Sequence, residues 1–151
     1  MPDTQLEQLF PADGKLCPSV SDTRQAARDL VALLSGKRAI LSLEGPLGAG
    51  KTCFVQGLAE ALACDPKGVS SPTFSLIHEY SDGPLPFVHM DLYRLESSEE
   101  LEALGFDDLF VESHLTAIEW GDKFLNALPP DTIRLGFSIE HNEQRRIRLI
   151  P

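Results

Sequence analysis

The stretch EGPLGAGKTCF, residues 44–54, constrains the fold more than any other part of the chain. Three glycines and a proline lie in its first seven residues, and an apolar, helix-like run follows at once. Glycines let backbone N–H groups converge where a Cβ would collide with a ligand. The spacing Gly45-x-x-x-x-Gly50-Lys51-Thr52 therefore predicts a loop that folds around an anion.

The flanking segments strengthen this prediction. A short apolar strand is expected at about 38–43 and a helix at about 50–63, so the loop joins a strand to a helix, as in the P-loop of many nucleotidases and kinases. Unpaired N–H groups and the helix dipole attract phosphate, Lys51 can reach the outer phosphates, and the Thr52 hydroxyl can bind Mg²⁺. A purely structural turn would need neither of those two side chains.

Composition limits the kinds of partner that the chain can have. Its 151 residues predict one domain, and no apolar run is long enough to span a membrane, so we expect a cytoplasmic protein. The formal net charge of −10 disfavours direct binding to RNA or DNA. The one basic cluster, RRIRLI, is interpreted as a solvated strand edge, with a phosphate-binding patch as the alternative.

The remaining patterns predict an α/β fold: a mixed, mostly parallel sheet flanked by helices. Residues 1–20 are expected to be an irregular lead-in with at most one short strand, and 21–151 a single P-loop domain. Ser21 and Asp22 are candidate caps for a first helix that ends at Gly36. Later segments predict a strand reversal (TFSLIHEY and PFVHMD), a short helix capped by Ser97, an apolar strand (LTAIEW) and a C-terminal hairpin.

An acid at the end of an apolar strand is needed beside a P-loop to hold Mg²⁺ and its waters. Asp91 ends FVHMD and Glu119 ends LTAIE, and the pattern leaves open which of them does so. The asparagine-lysine-x-aspartate element that reads guanine is absent, which favours ATP. His89 is interpreted as a packed or surface histidine, since no nucleophile accompanies it. A small-molecule kinase remains an alternative, although no basic lid is visible.

Four segments resemble the TsaE family, also called YjeE, in order and spacing: GPLGAGKTCF, SSPTFSLIHEY, HMDLYRL with SSEELEALG, and AIEWGD. The resemblance spans about residues 20–150. It implies a small Mg²⁺-dependent ATPase, required for forming threonylcarbamoyladenosine beside the anticodon of tRNAs that read codons beginning with A. It also implies action together with the TsaD and TsaB proteins, through which an acidic chain would reach tRNA indirectly.

The resemblance also implies roles for individual residues. Thr52 and Glu119 would hold the metal, Thr73 would act as a switch near the γ-phosphate, and Asp91 and Tyr93 would belong to the site. Trp120 would flank the metal acid, or serve only as a packed indole. The triphosphate would be held by Gly48, Ala49, Gly50, Lys51 and Thr52.

The sequence shows no obvious arginine finger, Arg94 being the nearest candidate. We therefore expect slow hydrolysis by the isolated chain, on the order of one turnover per minute or less, until a partner completes the site. A second alternative is an assembly switch, in which ATP binding matters and hydrolysis is incidental.

Overall fold

A computed structural model describes residues 4–65, 77–80 and 82–151. These residues form a sheet of seven strands: Lys15–Cys17 (β1), Ala39–Glu44 (β2), Ile77–Tyr80 (β3), Phe87–Asp91 (β4), Leu115–Glu119 (β5), Ile133–Ile139 (β6) and Arg145–Ile150 (β7). The helices are Thr4–Leu9 (α1), Val20–Leu34 (α2), Lys51–Ala61 (α3), Ser98–Ala103 (α4) and Phe106–Glu112 (α5). Short 3₁₀ segments follow β5, at Gly121–Ala127, and β6, at His141–Glu143.

The strand order is β1-β7-β6-β2-β5-β4-β3, and the central strands are parallel. β2 pairs in parallel with both β5 and β6, and β4 pairs in parallel with β5. Antiparallel pairs join β3 to β4, β6 to β7 and β1 to β7. This topology confirms the predicted mixed α/β fold, its strand reversal and its C-terminal hairpin. Because β2, β4 and β5 run in one direction, their carboxyl ends share one edge of the sheet, where open α/β sheets bind ligands.

Two hydrophobic cores lie on opposite faces of the sheet, as expected where strands alternate their side chains. One core joins α2 and α3 to β2, β5 and β6 through residues such as Leu30, Leu41 and Phe54. The other joins α4 and α5 to β4 and β5 through residues such as Met90, Phe110 and Ile118. In the part of the chain that the structure describes, no helix has the length and apolar content required to cross a bilayer.

The N-terminal twenty residues are more regular than the sequence predicts. Besides the one short strand that was allowed for, they contain helix α1, whose Leu6 is buried. Strand β1 pairs with β7 and covers the side of β7 that faces away from β6. The prediction that RRIRLI forms a solvated strand edge is therefore wrong, because β7 lies between two other strands.

Helix α2 begins one residue before the first predicted cap. Its N-cap is Ser19, whose hydroxyl accepts a hydrogen bond from the Asp22 N–H at 3.3 Å. The Asp22 carboxylate in turn accepts one from the Ser19 N–H at 3.0 Å, which completes a capping box. Asp22 thus supports the helix start from its first turn. Ser97 caps α4 as predicted, by accepting from the Glu100 N–H.

Candidate functional site

The glycine-rich loop joins the end of β2 to the start of α3, and its three glycines, Gly45, Gly48 and Gly50, all have positive φ. A Cβ on Gly45 would lie 2.4 Å from the backbone oxygen of Phe137, and the Gly45 φ of 146° also disfavours other residues. Gly50, the residue before α3, has a φ of 100°. The loop can therefore fold tightly against β6 and enter the helix with its N–H groups free of side-chain caps.

Lys51, the first residue of α3, is held inside this loop and is only 4% exposed. Its Nζ donates a hydrogen bond to the Gly45 carbonyl oxygen at 2.7 Å and lies 4.2 Å from the centroid of the Trp120 ring. Burial lowers the pKa of Lys51, and the negative charges of Glu119 and Asp91 oppose that shift. The site thus keeps a partly desolvated cation between a loop, a ring and two acids.

The two predicted acids lie side by side at the ends of neighbouring strands. Asp91 of β4 is in register with Glu119 of β5, and both are buried. Burial raises the pKa of Asp91, and the negative charge of Glu119 raises it further. The Tyr93 N–H donates to the Oδ1 of Asp91 at 2.9 Å, and this hydrogen bond acts to lower the pKa. The Glu119 Oε2 accepts a hydrogen bond at 2.6 Å from Nε2 of His89, which is fully buried. His89 is therefore a packed residue, as the sequence predicts.

Aromatic side chains border the acids. The rings of Tyr93 and Trp120 lie with their centroids 5.1 Å apart. Trp120 has a φ of 64°, a left-handed conformation that is uncommon for a bulky residue and is often found at functional sites. Lys123 fixes the segment around Tyr93, because its Nζ donates to the carbonyl oxygens of Tyr93 and Leu95.

One cleft of about 600 Å³ brings most of the predicted residues together. Its walls include Gly48, Gly50, Lys51, Thr52, Asp91, Glu119 and Trp120. Two predicted residues, Gly45 and Ala49, do not line the cleft: Ala49 is fully buried and Gly45 packs on β6. Thr73, the predicted switch residue, lies outside the described residues.

The rest of the cleft wall, apart from Arg145, was not foreseen from the sequence. It comes from the turn between β1 and α2 and from the turn between β6 and β7, and its residues are Cys17, Pro18, Ser19, Val20, Thr23, Asn142, Glu143 and Arg145. Arg145 donates from Nε to the Gly48 carbonyl oxygen at 3.1 Å and from Nη1 to the Glu143 carbonyl oxygen. Asn142 and Glu143 both have positive φ, near 60°. A basic side chain thus joins the tip of the glycine loop to a strained turn.

The three arginines of the segment RRIRLI therefore make different contacts. Arg145 lines the cleft, whereas its binding of phosphate stays a prediction. Arg146 instead pairs with Glu140 at 2.7 Å and donates to backbone oxygens of the N-terminal segment. Arg148 is exposed. The alternation of side chains along β7 explains why only one of the three arginines reaches the loop.

The ion pair of Glu44 and Arg134, at the strand end that leads into the loop, was also not foreseen from the sequence. Glu44, the last residue of β2, is buried, and its two carboxylate oxygens accept hydrogen bonds from Nε and Nη2 of Arg134 at 2.8 Å each. The Ser42 hydroxyl also donates to Oε2 at 2.9 Å. The hydrogen bonds with Glu44 raise the pKa of Arg134. This forked pair ties β2 to β6 one residue before the loop begins.

The oxygen donors of the cleft suit a magnesium ion whose remaining ligands are water and phosphate oxygens. Oxygen is the ligand that Mg²⁺ prefers, and the cleft offers the Thr52 hydroxyl and the carboxylates of Asp91 and Glu119. Burial first, and then the adjacent negative charge of Glu119, raise the pKa of Asp91, so its ionised form is unfavourable there and a bound cation would stabilise it. No cluster of three or more histidine, cysteine or acidic side chains able to hold a metal ion occurs among the described residues. That donor set fits an ion that keeps waters and takes further oxygens from a nucleotide.

Comparison with known proteins places the chain in a family. Residues 17–147 match the model of the family described as Threonylcarbamoyl adenosine biosynthesis protein TsaE. The tRNA threonylcarbamoyladenosine biosynthesis protein TsaE of Bacillus subtilis is 39% identical over 82% of this chain and 76% of its own length. The protein of that name from Treponema pallidum is 36% identical over 78% of this chain and 86% of its own.

A solved structure agrees with these sequence matches. The crystal structure of Bacillus subtilis YdiB superposes with a TM-score of 0.69 at 31% identity, covering 89% of this chain and 82% of that one. The matched family segment includes the glycine loop, both strand-end acids and the arginine at the cleft wall. The chain belongs to the TsaE family.

Proposed function

We propose that this chain binds ATP with Mg²⁺ in the cleft and hydrolyses it as the ATPase of the machinery that forms threonylcarbamoyladenosine in tRNA. Membership of the TsaE family supports a role in that biosynthesis. The observation that carries the ATPase proposal is the convergence of Lys51, Asp91 and Glu119 on one cleft at the start of α3. Each comes from a different element, and a structural glycine turn would not require any of them.

The residues of the cleft divide into a phosphate side and a metal side. Backbone N–H groups at the start of α3 and the Lys51 ammonium would bind phosphate oxygens. Thr52 and Glu119 would hold Mg²⁺, with Asp91 adjacent, and the bound ion would neutralise charge that develops on the phosphates. The wall formed by Val20, Asn142 and Arg145 would contact the nucleoside part. Thr73 is proposed as the residue near the γ-phosphate.

Calorimetry with ATP, in the presence and absence of Mg²⁺, tests the binding step. The wild type should bind ATP, with higher affinity when Mg²⁺ is present. Release of phosphate, measured on the same preparation, should be slow, on the order of one turnover per minute or less. Absence of ATP binding under both conditions would contradict the proposal.

The partners are part of the proposal. An acidic chain with net charge −10 should not bind tRNA alone at physiological salt. We propose ATP-dependent association with TsaD and TsaB, through which the chain would reach tRNA and which would complete the ATPase site. A pull-down with the two partners and a filter-binding assay with tRNA alone test both statements. Tight binding to tRNA without partners, or no association under any nucleotide condition, would contradict this part of the proposal.

Two alternatives have distinct signatures. A small-molecule kinase would transfer labelled phosphate from ATP to a compound other than water, whereas the proposed ATPase releases inorganic phosphate. An assembly switch would keep full function in tRNA modification when hydrolysis is removed but ATP binding is retained. The variant Glu119→Gln, in a modification assay reconstituted with TsaD and TsaB, separates the switch from the ATPase.

A further inference from the structure

The side chain of His89 makes one hydrogen bond within the described part of the chain, and that bond goes to the Glu119 carboxylate rather than to a backbone group. Its Nε2 lies 2.6 Å from the Glu119 Oε2, and the imidazole is fully buried. A carboxylate accepts and does not donate when ionised, so Nε2 carries the proton of this bond. The histidine thus holds one oxygen of the strand-end acid.

Sheet geometry directs the imidazole to this acid. His89 is in register with Ala117 on the neighbouring strand, and Glu119 is two residues further along the same face. Ala117 is fully buried and has no side chain beyond Cβ. An imidazole can therefore lie across it and reach the diagonal carboxylate.

The buried imidazole of His89 contributes little to the stability of the fold. The Nδ1 of His89 is buried without a partner among the described residues. Burying an unpaired polar atom is unfavourable, and an apolar side chain at this position would avoid it. The one bond that His89 does make orients a group that lines the cleft, and orienting bonds of this kind support metal ligands in other proteins.

We infer that His89 is a positioning residue: it fixes the Glu119 carboxylate through Oε2, so that the acid presents its other oxygen to the metal side of the cleft. This inference rests on the proposed function, because it assigns Glu119 to Mg²⁺. His89 itself touches neither nucleotide nor metal. Its effect passes entirely through Glu119.

Two substitutions at this position separate the bond from the packing. His89→Gln keeps an N–H donor at about the reach of Nε2, whereas His89→Leu removes the donor and keeps an apolar, buried side chain. In calorimetry we expect His89→Leu to bind ATP without Mg²⁺ as the wild type does. The Mg²⁺ concentration needed for half of the Mg²⁺-dependent gain in affinity should rise about 10- to 100-fold. His89→Gln should restore most of that loss.

Thr116→Val is the matched control. Thr116 lies on β5 as Glu119 does, but on the opposite face, and its hydroxyl is 2.5 Å from that of Ser113, with both groups buried. Its loss should lower the thermal unfolding temperature without changing the Mg²⁺ requirement. A shift in the Mg²⁺ requirement that merely follows the unfolding temperature across all three variants would overturn the inference.

A double-mutant cycle tests whether the effect passes through Glu119. In a Glu119→Ala background, His89→Leu should cause no further change in the Mg²⁺ requirement. Additive effects would overturn the inference. If the leucine variants fail to fold, the ring of the unmodified chain is observed by ¹⁵N NMR, where a proton on Nε2 is expected, and a neutral ring protonated only on Nδ1 would contradict the inference.

The wild-type titration distinguishes two kinds of failure. If ATP binding by the wild type does not respond to Mg²⁺, the proposed function fails. If the wild type responds and His89→Leu responds at the same Mg²⁺ concentration, the proposed function stands and the role of His89 is wrong.

Discussion

The Nζ of Lys51 lies 4.2 Å from the centre of the Trp120 ring while it donates a hydrogen bond to the Gly45 carbonyl oxygen. A phosphate in the loop would compete with both contacts for the same ammonium. The cation, the ring and the loop are therefore linked, and a change at one of them should be measurable at another.

Lys51→Ala should abolish measurable ATP binding, because the buried ammonium donates to the loop and interacts with the charges of both acids. Calorimetry measures this directly. Lys123→Ala is a suitable control: its Nζ also lies near an aromatic ring, 5.7 Å from that of Tyr93, but Lys123 does not line the cleft. Unchanged ATP affinity in Lys51→Ala would refute the phosphate-binding role of the loop.

Trp120 should report ligand binding by fluorescence, because it is the only tryptophan in the chain. Withdrawal of the Lys51 ammonium from its ring, or a change at the neighbouring Glu119, would alter the emission. A titration of the wild type with Mg-ATP should therefore give a saturable change that matches the calorimetric affinity. A constant signal in a sample that calorimetry shows to bind ATP would contradict the coupling between lysine and ring.

The glycine loop and the two strand-end acids were predictable because their signals are local. A strand, a glycine spacing and a helix follow one another in the sequence, and Asp91 and Glu119 each end an apolar run. The parallel pairing of β4 and β5 then brings the acids together at one edge. The family resemblance added Trp120 and Tyr93, whose ring contact no spacing indicates.

The part of the cleft wall that lies outside the loop and the strand-end acids was not predictable, because it depends on tertiary pairing. Arg145 reaches Gly48 because β7 runs antiparallel to β6. The turn before α2 joins the same cleft because β1 pairs with the outer side of β7. Helix α1 was missed because six residues carry too little periodicity to stand out. The pair of Glu44 and Arg134 likewise joins strands that are distant in the chain.

Glu119→Gln should strongly reduce hydrolysis while much of the nucleotide affinity survives through the backbone donors of the loop. Thr52→Ala should chiefly weaken the Mg²⁺-dependent part of ATP affinity, because it removes a metal ligand and leaves the lysine. Phosphate release and calorimetry with and without Mg²⁺ separate the two effects. Normal turnover in Glu119→Gln, together with no response of Trp120 fluorescence to Mg-ATP, would transfer the metal role to Asp91.

Asp91→Asn should stabilise the protein when neither nucleotide nor Mg²⁺ is added. The folded-state pKa of Asp91 is raised, so its ionisation opposes folding at neutral pH. The amide removes that charge and keeps an oxygen for the Tyr93 N–H. The gain in unfolding temperature should be largest at pH values above the raised pKa and should shrink as the pH falls through that pKa towards the ordinary value. A lower unfolding temperature at pH 7 would contradict this reasoning.

Gly45→Ala and Gly48→Ala form a matched pair that tests the packing of the loop on β6. Both residues have positive φ, so each alanine should be unfavourable by about 1 kcal/mol on backbone grounds alone. Only at Gly45 would the new Cβ also meet a backbone atom, the Phe137 oxygen at 2.4 Å, whereas nothing lies within 4 Å at Gly48. Urea unfolding should therefore show a loss for Gly45→Ala larger than that for Gly48→Ala by about 1 to 3 kcal/mol. Equal losses would mean that the close approach of loop and strand does not determine the conformation of this turn.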